Sequence, residues 1–540
     1  MFYPIHFAYT HSGSHTPPNY TGEVVQYNSI ITKPIIVDIF TYPDLLSKSH
    51  LADPSLFAAP SPLADPSYFP DPNRFADPNR FASSGKHEGK HEKSEYSDEI
   101  WGKIQLPSPN SLCDQALRSP AFERLKNLSQ LSASHYVLPK LHAATEDEGH
   151  NRYKHSLGVY HLAVTQLKAL FKNGDFDRLE GKTEEEWAEL VGLAAMLHDI
   201  GHGPFSHLFE IMLNAIGITD FVHETMTCNL IQYMVDEGHI KMSADKIDIV
   251  CDLIMASEKG KKDPDWLASN PYGPLVDIVA NPRSGVDTDK EDYLCRDQKK
   301  AGVKFAEFDP SKVMEIIESS KVVNGEIHYE VGMVDKLAAM LECRAFMHKQ
   351  VYQCWKVKAM EQMVVEMFAL CAEFLNIREL YSDAKTFITL TDEIIDKIRN
   401  ANEDSPREVL RAQELLRKIE SGEHFQFLAD VPSARVPDQS TLLQDIAKSW
   451  NAKHENVADH ISPDMLRSAQ QKINYGMGSR NPMEYLRFYR KAEPGKVFKA
   501  PREFIDRLAT PPPKMTGIFS TCTDELALAR CKEAVENYLS

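Results

Sequence analysis

From about Trp101 onward, apolar residues recur at the three- and four-residue intervals that line one face of a helix. Trp187, Leu190, Val191, Ala194, Leu197 and His198 keep this spacing, which predicts a helix with one apolar face that ends on a histidine. The stretch from Val334 to Asn376 contains neither glycine nor proline and predicts one long helix. Alternating, strand-like runs are few and short. The pattern therefore predicts a mainly α protein, with an all-helical core over 101–400 and a smaller mixed α+β lobe over 401–540.

Residues 1–95 have a different texture. Asp53-Pro-Ser-Leu-Phe57, Asp65-Pro-Ser-Tyr-Phe69, Asp71-Pro-Asn-Arg-Phe75 and Asp77-Pro-Asn-Arg-Phe81 form a degenerate repeat, followed by a doubled Gly-Lys-His-Glu at 85–92. Proline at this frequency forbids a helix and holds each preceding residue extended, so the segment is expected to be a disordered, low-complexity tail. Its repeated phenylalanine is a candidate docking motif, and a solvated leader is the simpler reading.

The composition, 42% hydrophobic and 26% charged over 540 residues, is that of a globular protein of two to four structural units. No run approaches the roughly 20 apolar residues that cross a bilayer. The apolar stretch Ile30–Phe40 is interrupted by Lys33, Pro34 and Asp38, and the amino terminus carries no secretory pattern. The nine cysteines include no Cys-x-x-Cys pair, which favours reduced thiols and an intracellular setting. A net charge of −18 argues against a surface built wholly to hold nucleic acid, although a local basic patch lies between Arg480 and Arg507.

The chemistry concentrates around His198-Asp199, with His155 upstream in Asn151-Arg-Tyr-Lys-His155 and Asp289 downstream in Asp287-Thr-Asp289-Lys290. Two imidazoles and two carboxylates form a mixed nitrogen and oxygen set suited to Fe, Mn, Zn or Mg, with positions left for water and a phosphate oxygen. Gly201, Gly203 and Pro204 break the helix directly after the pair, exposing an end on which ligands from other helices can converge. The same break disfavours a zinc-protease reading, which needs two histidines on one continuous helix. His202, His207 and His223 crowd the neighbourhood, and each alone is as readily a core histidine as a catalytic one.

The run Ala194-Ala-Met-Leu-His-Asp-Ile-Gly-His-Gly-Pro-Phe-Ser-His207, with 152–161 before it and 285–297 after it, resembles the HD-domain deoxynucleoside triphosphate triphosphohydrolases. The likeness is strongest to the eukaryotic sterile-alpha-motif and HD-domain members, and it continues through Ile473-Asn-Tyr-Gly-Met477 to Tyr489. The repeat-bearing tail stands where those proteins carry the sterile-alpha-motif domain. The resemblance implies that His155, His198, Asp199 and Asp289 bind a divalent metal, with Mg accompanying the substrate triphosphate. It implies triphosphate contacts from Arg152, Lys290 and Arg344, and contacts to the deoxyribose from Tyr293, Asp297, Tyr352 and Gln353. Gln130 and Leu131 fall where the sugar and base are touched. His202, His207 and His223 match the catalytic histidines, with His207 the candidate proton donor to the leaving 5′-oxygen, and Glu210 stands in place of the family's supporting Asp. The implied reaction is attack of a metal-activated water on the α-phosphorus, releasing a deoxynucleoside and triphosphate.

The resemblance also implies a homo-oligomer, dimer or tetramer, in the nucleus or cytosol, the nucleus being slightly favoured by the family. Its regulatory positions depart from the pattern. Arg118, Glu123 and Lys126 replace the residues that would read an activating guanine, and Glu330, Gly332 and Lys312 alter a second region, whereas Lys103 and Arg480 keep basic positions. Weakened or altered nucleotide activation is therefore expected. An acidic insertion-like stretch, Leu141 to His150, precedes Arg152. The competing functions are an HD-type phosphodiesterase or nucleotidase, and a low-turnover regulatory protein with weak single-stranded nucleic-acid binding.

Overall fold

The computed structural model describes residues 94–138, 149–174, 181–270, 272–436, 438–493 and 495–540. The amino-terminal repeats, the doubled Gly-Lys-His-Glu and most of the acidic stretch before His150 lie outside the described residues. Among the described residues the structure is mainly helical, with three small sheets. Strands β1 (Glu95–Asp98) and β2 (Gly102–Gln105) form a hairpin, and helix α1 (Leu112–Leu117) follows. The central helices are α2 (Arg152–Asn173), α3 (Glu184–Leu197), α4 (His207–Ala215), α5 (His223–Asp236) and α6 (Ala244–Ile254). Helices α7 (Thr288–Ala301) and α8 (Pro310–Ser319) precede β3 (Lys321–Val323) and β4 (Glu326–Glu330).

Helix α3 shows how closely the local pattern is obeyed. Thr183 and Glu186 form a capping box, and the buried face includes Trp187, Leu190, Val191, Ala194 and Leu197, with His198 at the C-cap. Glycines let α2 lie close against its neighbours. A Cβ on Gly158 would fall 1.9 Å from Asp292 Oδ1, and one on Gly192 of α3 would fall 3.0 Å from the Tyr160 ring.

The predicted helix from Val334 to Asn376 is instead two helices, α9 (Val334–Met347) and α10 (Trp355–Cys371). One wide turn, His348–Tyr352, ends the first, and Cys354 is extended before the second. The cause is tertiary: the Gln353 amide is claimed by Lys472, donating to its carbonyl (2.8 Å) and accepting from its N–H (2.7 Å). Helix α11 (Arg407–Glu420) packs on α10.

Beyond α11 come β5 (Gln426–Pro432), α12 (Leu442–Asn451), β6 (Leu466–Gln471), β7 (Arg487–Tyr489), β8 (Phe498–Lys499), β9 (Met515–Ser520) and α13 (Glu525–Leu539). One sheet has the order β3-β4-β7-β8, with β4 and β7 parallel, and another is antiparallel with the order β5-β9-β6. The main hydrophobic core runs from Ile104 through α2, α3 and α10 to Val409, Phe488 and Phe519, so residues on both sides of position 400 share it. A second cluster, including Leu442, Trp450, Ile518 and Val535, packs α12 and α13 on the last sheet. The nine cysteines are unpaired, and among the described residues no helix is long and apolar enough to cross a membrane.

Candidate active site

Three helix ends deliver the four predicted metal-binding residues to one place. Asn151 caps α2, accepting from Lys154 N–H (3.1 Å), so that His155 sits in its first turns. Helix α3 delivers His198 and Asp199 at its C-terminus, and Asp287 caps α7, placing Asp289 in its first turn. His155 Nε2 lies 3.1 Å from Asp289 Oδ1 and 3.5 Å from Asp199 Oδ2. His198 Nε2 lies 3.3 Å from Asp199 Oδ1 and 3.6 Å from Asp289 Oδ1.

This donor set fits a divalent cation. Both Nε2 atoms are buried and lack a well-directed hydrogen bond, whereas each Nδ1 is already committed, to Asp292 Oδ2 (2.8 Å) and to the Ala195 carbonyl (2.8 Å) respectively. Fixing Nδ1 turns Nε2 inward, as metal-ligating histidines require. Burial opposes a charge on His155, but the hydrogen-bonded Asp289 and Asp292 carboxylates, with Asp199, carry it up to about 10. The surroundings thus stabilise a positive charge at the point where neutral imidazoles and carboxylates would share a metal ion. Asp292 is itself clamped by Trp101 Nε1 (2.5 Å) and by Arg296 through two bonds (2.9 and 2.8 Å), and Arg296 continues to Asp98 (2.9 Å).

The loop after Asp199 is held from several sides. Arg124 donates to the carbonyls of Leu390 (2.5 Å), Ile200 (2.6 Å) and His202 (2.7 Å). Phe205 and Ser206 both have positive φ, at 59° and 58°, and are kept there by Asp392, which accepts from Phe205 N–H (2.6 Å), and by Ser206 donating to the Ser129 carbonyl (2.6 Å). This kink starts α4 on His207. Gly201 N–H donates to Thr227 Oγ1 (2.9 Å), and a Cβ on Gly201 would lie 2.0 Å from the His223 carbonyl and 2.4 Å from Thr227 N. Gly201→Ala is therefore expected to push α5 away and to destabilise the fold by about 1–3 kcal/mol, the usual overpacking range. Thermal melting checks this, and an unchanged transition would contradict the packing.

His202, His207 and His223 form a second cluster, joined to the first through Asp199 Oδ1, which lies 3.3 Å from His202 Nε2. A shared ion fits this trio poorly. The His202 and His223 rings stack at 4.0 Å and 17°, so their in-plane lone pairs run parallel and cannot meet at one ion, unlike the 73° pair His155 and His198. Glu210, the predicted supporting acid, hydrogen-bonds His223 Nδ1 (2.6 Å). Burial opposes charge on His223, but Glu210 and Glu224 raise its pKa, whereas burial, Arg152 and His223 hold His207 down at about 4. Within this group a proton therefore favours His223 over His207.

The predicted phosphate-binding cations are engaged by protein groups. Arg152 bonds Asp199 and Ser206 Oγ, Lys290 bonds Asp287 (2.7 Å), and Arg344 donates to the Asn474 carbonyl (2.5 Å). Lys290 and Arg344 approach each other: a Cβ on Gly476 would lie 3.7 Å from Lys290 Cε and from Arg344 Cδ. Tyr352 donates to Asp297 (2.7 Å), with the Tyr293 ring 6.2 Å away and nearly perpendicular. Gln130 is linked by its N–H to the His150 carbonyl (3.0 Å), Leu131 is buried, and the Gln353 amide is taken by Lys472 and His348.

Sequence reasoning did not single out Asp292, Arg296, Arg124, Asp392 or His150. The Asp292 and Arg296 pair carried an i,i+4 signal; the others carried none, since their partners come from distant segments. At the predicted regulatory positions the charges are paired within the chain: Arg118 with Asp114, Lys126 with Glu123 (2.6 Å), Lys312 with Asp309 (3.1 Å), Lys103 with Glu95 (2.8 Å), and Glu330 with Lys491 (2.9 Å). Arg480 lies over the Tyr485 ring.

Residues 152–263 match the HD domain. The chain is 28% identical to the deoxynucleoside triphosphate triphosphohydrolase SAMHD1 homolog of Dictyostelium discoideum, over 76% of this chain and 74% of the relative. It is 27% identical to deoxynucleoside triphosphate triphosphohydrolase SAMHD1 of Gallus gallus, over 76% and 69%, and 24% identical to that of Homo sapiens, over 76% and 67%. The chain thus carries an HD-domain match and is similar over three quarters of its length to deoxynucleoside triphosphate triphosphohydrolases.

Proposed function

We propose that the protein is a metal-dependent deoxynucleoside triphosphate triphosphohydrolase, producing a deoxynucleoside and inorganic triphosphate. The observation that carries this reading is the pair of orphaned imidazole nitrogens, His155 Nε2 and His198 Nε2, facing the Asp199 and Asp289 carboxylates in a chain so similar to such enzymes. His155, His198, Asp199 and Asp289 would hold the ion. A divalent ion bound there supplies Lewis acidity, polarising a phosphate oxygen and making water more acidic.

The remaining chemistry belongs to the chain. Lys290 and Arg344 neutralise the triphosphate, exchanging Asp287 and Asn474 for phosphate oxygens, and Arg152, fixed by Asp199 and Ser206, adds its charge beside the metal. His207 protonates the leaving 5′-oxygen. Its low pKa stems from burial and from positive neighbours, and an arriving triphosphate reverses the second cause; His223, whose pKa Glu210 raises, is the adjacent proton source. Tyr293, Asp297 and Tyr352 bound the sugar, with Gln130, Leu131 and Gln353 at the sugar and base end. The intrachain ion pairs at the regulatory positions support weakened nucleotide activation. A homo-oligomer and nuclear or cytosolic residence belong to the same proposal.

The test is incubation with Mg²⁺ or Mn²⁺ and each deoxynucleoside triphosphate, with and without GTP, followed by chromatography of products. Equimolar deoxynucleoside and triphosphate, formed without need of GTP, is the expected result. Diphosphate or monophosphate release instead would favour a nucleotidase or phosphodiesterase, and no release would remove the enzymatic reading.

A further inference from the structure

His150 lies two residues before α2, with its side chain buried against α7. Its Nε2 lies 2.6 Å from Asp297 Oδ1, while the other oxygen of that carboxylate accepts from the Tyr352 hydroxyl at 2.7 Å. A carboxylate can only accept, so Nε2 carries the proton. Burial lowers the pKa of His150 and the Asp297 carboxylate only partly offsets this, with Arg296 and Lys300 adding to the fall, so the ring is neutral and Nδ1 is a bare acceptor. That Nδ1 is buried and without a partner, as is Gln130 Oε1. The His150 carbonyl accepts from Gln130 N–H, so one residue ties Gln130 by its backbone and Asp297 by its side chain.

We propose that His150 is the positioning residue of the sugar subsite, holding the Asp297 carboxylate so that its remaining lone pairs accept a hydroxyl of the deoxyribose. The inference rests on the triphosphohydrolase reading above. Asp297 keeps spare lone pairs, and among the described residues the buried Gln130 Oε1 and His150 Nδ1 close to it have no donor. A ligand that fills the subsite must bring donors, and a sugar hydroxyl does so where a dideoxyribose, lacking the 3′-hydroxyl, cannot. Without His150, Asp297 keeps Tyr352 as its one side-chain tether among the described residues, and its free oxygen can rotate away from the sugar.

The test compares dATP with 2′,3′-dideoxyATP in the full-length protein and in His150→Leu, His150→Asn and His150→Gln. Leu has no donor and Asn is too short to reach Asp297, whereas the Gln amide reaches about as far as imidazole Nε2. Leu and Asn are expected to lower kcat/KM for dATP roughly tenfold or more, the scale of a misplaced binding group, and to leave 2′,3′-dideoxyATP nearly unaffected, so that the preference collapses. Gln is expected to retain most of it. Should Leu fail to fold, as circular dichroism would show, Asn carries the comparison. Equal losses on both nucleotides in the Asn variant would make His150 merely structural, and an unchanged ratio would overturn the inference. If the unaltered protein hydrolyses neither nucleotide, the triphosphohydrolase reading itself fails; if it hydrolyses both alike, that reading stands and only the hydroxyl subsite falls.

Discussion

Asp199→Ala is expected to abolish metal binding and to lower triphosphate release by about 10³-fold or more, the scale of removing a preorganised electrostatic element from a reaction centre. Asp199 faces His155 Nε2 and His198 Nε2, bonds Arg152, and approaches His202. Burial works against its ionisation, yet Arg152 and His198 hold its carboxyl well below the usual range, so it is a carboxylate throughout the neutral range. Deleting it leaves the Arg152 guanidinium buried with only Ser206 as a side-chain partner among the described residues, beside two imidazoles that lose a counter-charge. Elemental analysis of the purified variant reads the metal, and single-turnover product analysis reads the chemistry. Stoichiometric metal with activity near that of the unaltered protein would refute the assignment of Asp199 as a ligand.

Asp292→Ala is expected to destabilise the fold by about 3–5 kcal/mol, the cost of breaking one side of a buried ion pair. The same change should weaken metal affinity roughly 10–100-fold, since Asp292 orients His155 from behind. The carboxylate is fully buried and serves Trp101, His155 and Arg296 at once; without it Arg296 retains only Asp98 among the described residues. Burial disfavours its charge, but Arg296 and His155 depress its pKa below the unfolded value. A depressed carboxyl pKa contributes stability that is present above the unfolded value, near pH 4, and is lost as acid protonates the folded group. The variant should therefore lose less stability on acidification from pH 6 to pH 3 than the unaltered protein does. Urea titrations across that range measure it, and parallel curves would show that Asp292 has no part in the acid sensitivity.

Much of this fold and site is legible in the amino-acid sequence. The spacing from Trp187 to His198 locates α3 and the residue on which it ends, and the glycines after Asp199 locate the break that opens the site. Helical periodicity is a local property, and α3 is governed by local forces: a capping box and an apolar face. The interval from Val334 to Asn376 shows the opposite case. Nothing in its own composition announces the interruption at Gln353 and Cys354, because the competing hydrogen bonds come from Lys472, 119 residues away. The supports behind the site are hidden for the same reason. Asp292 meets His155 across 137 residues and His150 meets Asp297 across 147, separations that no window of sequence spans.

The clasp on Arg344 bears on how such proteins are recognised and inherited. Asn474, which holds that guanidinium, lies 130 residues downstream of it and far beyond the segment 152–263 that bears the HD signature. A shortened relative that ended before Asn474 would still display the diagnostic histidines and aspartate intact, while the arginine at this position swung loose. Intact motifs in such a gene would therefore identify ancestry without guaranteeing catalysis, and the Asn-Tyr-Gly stretch is the more informative place to look for decay.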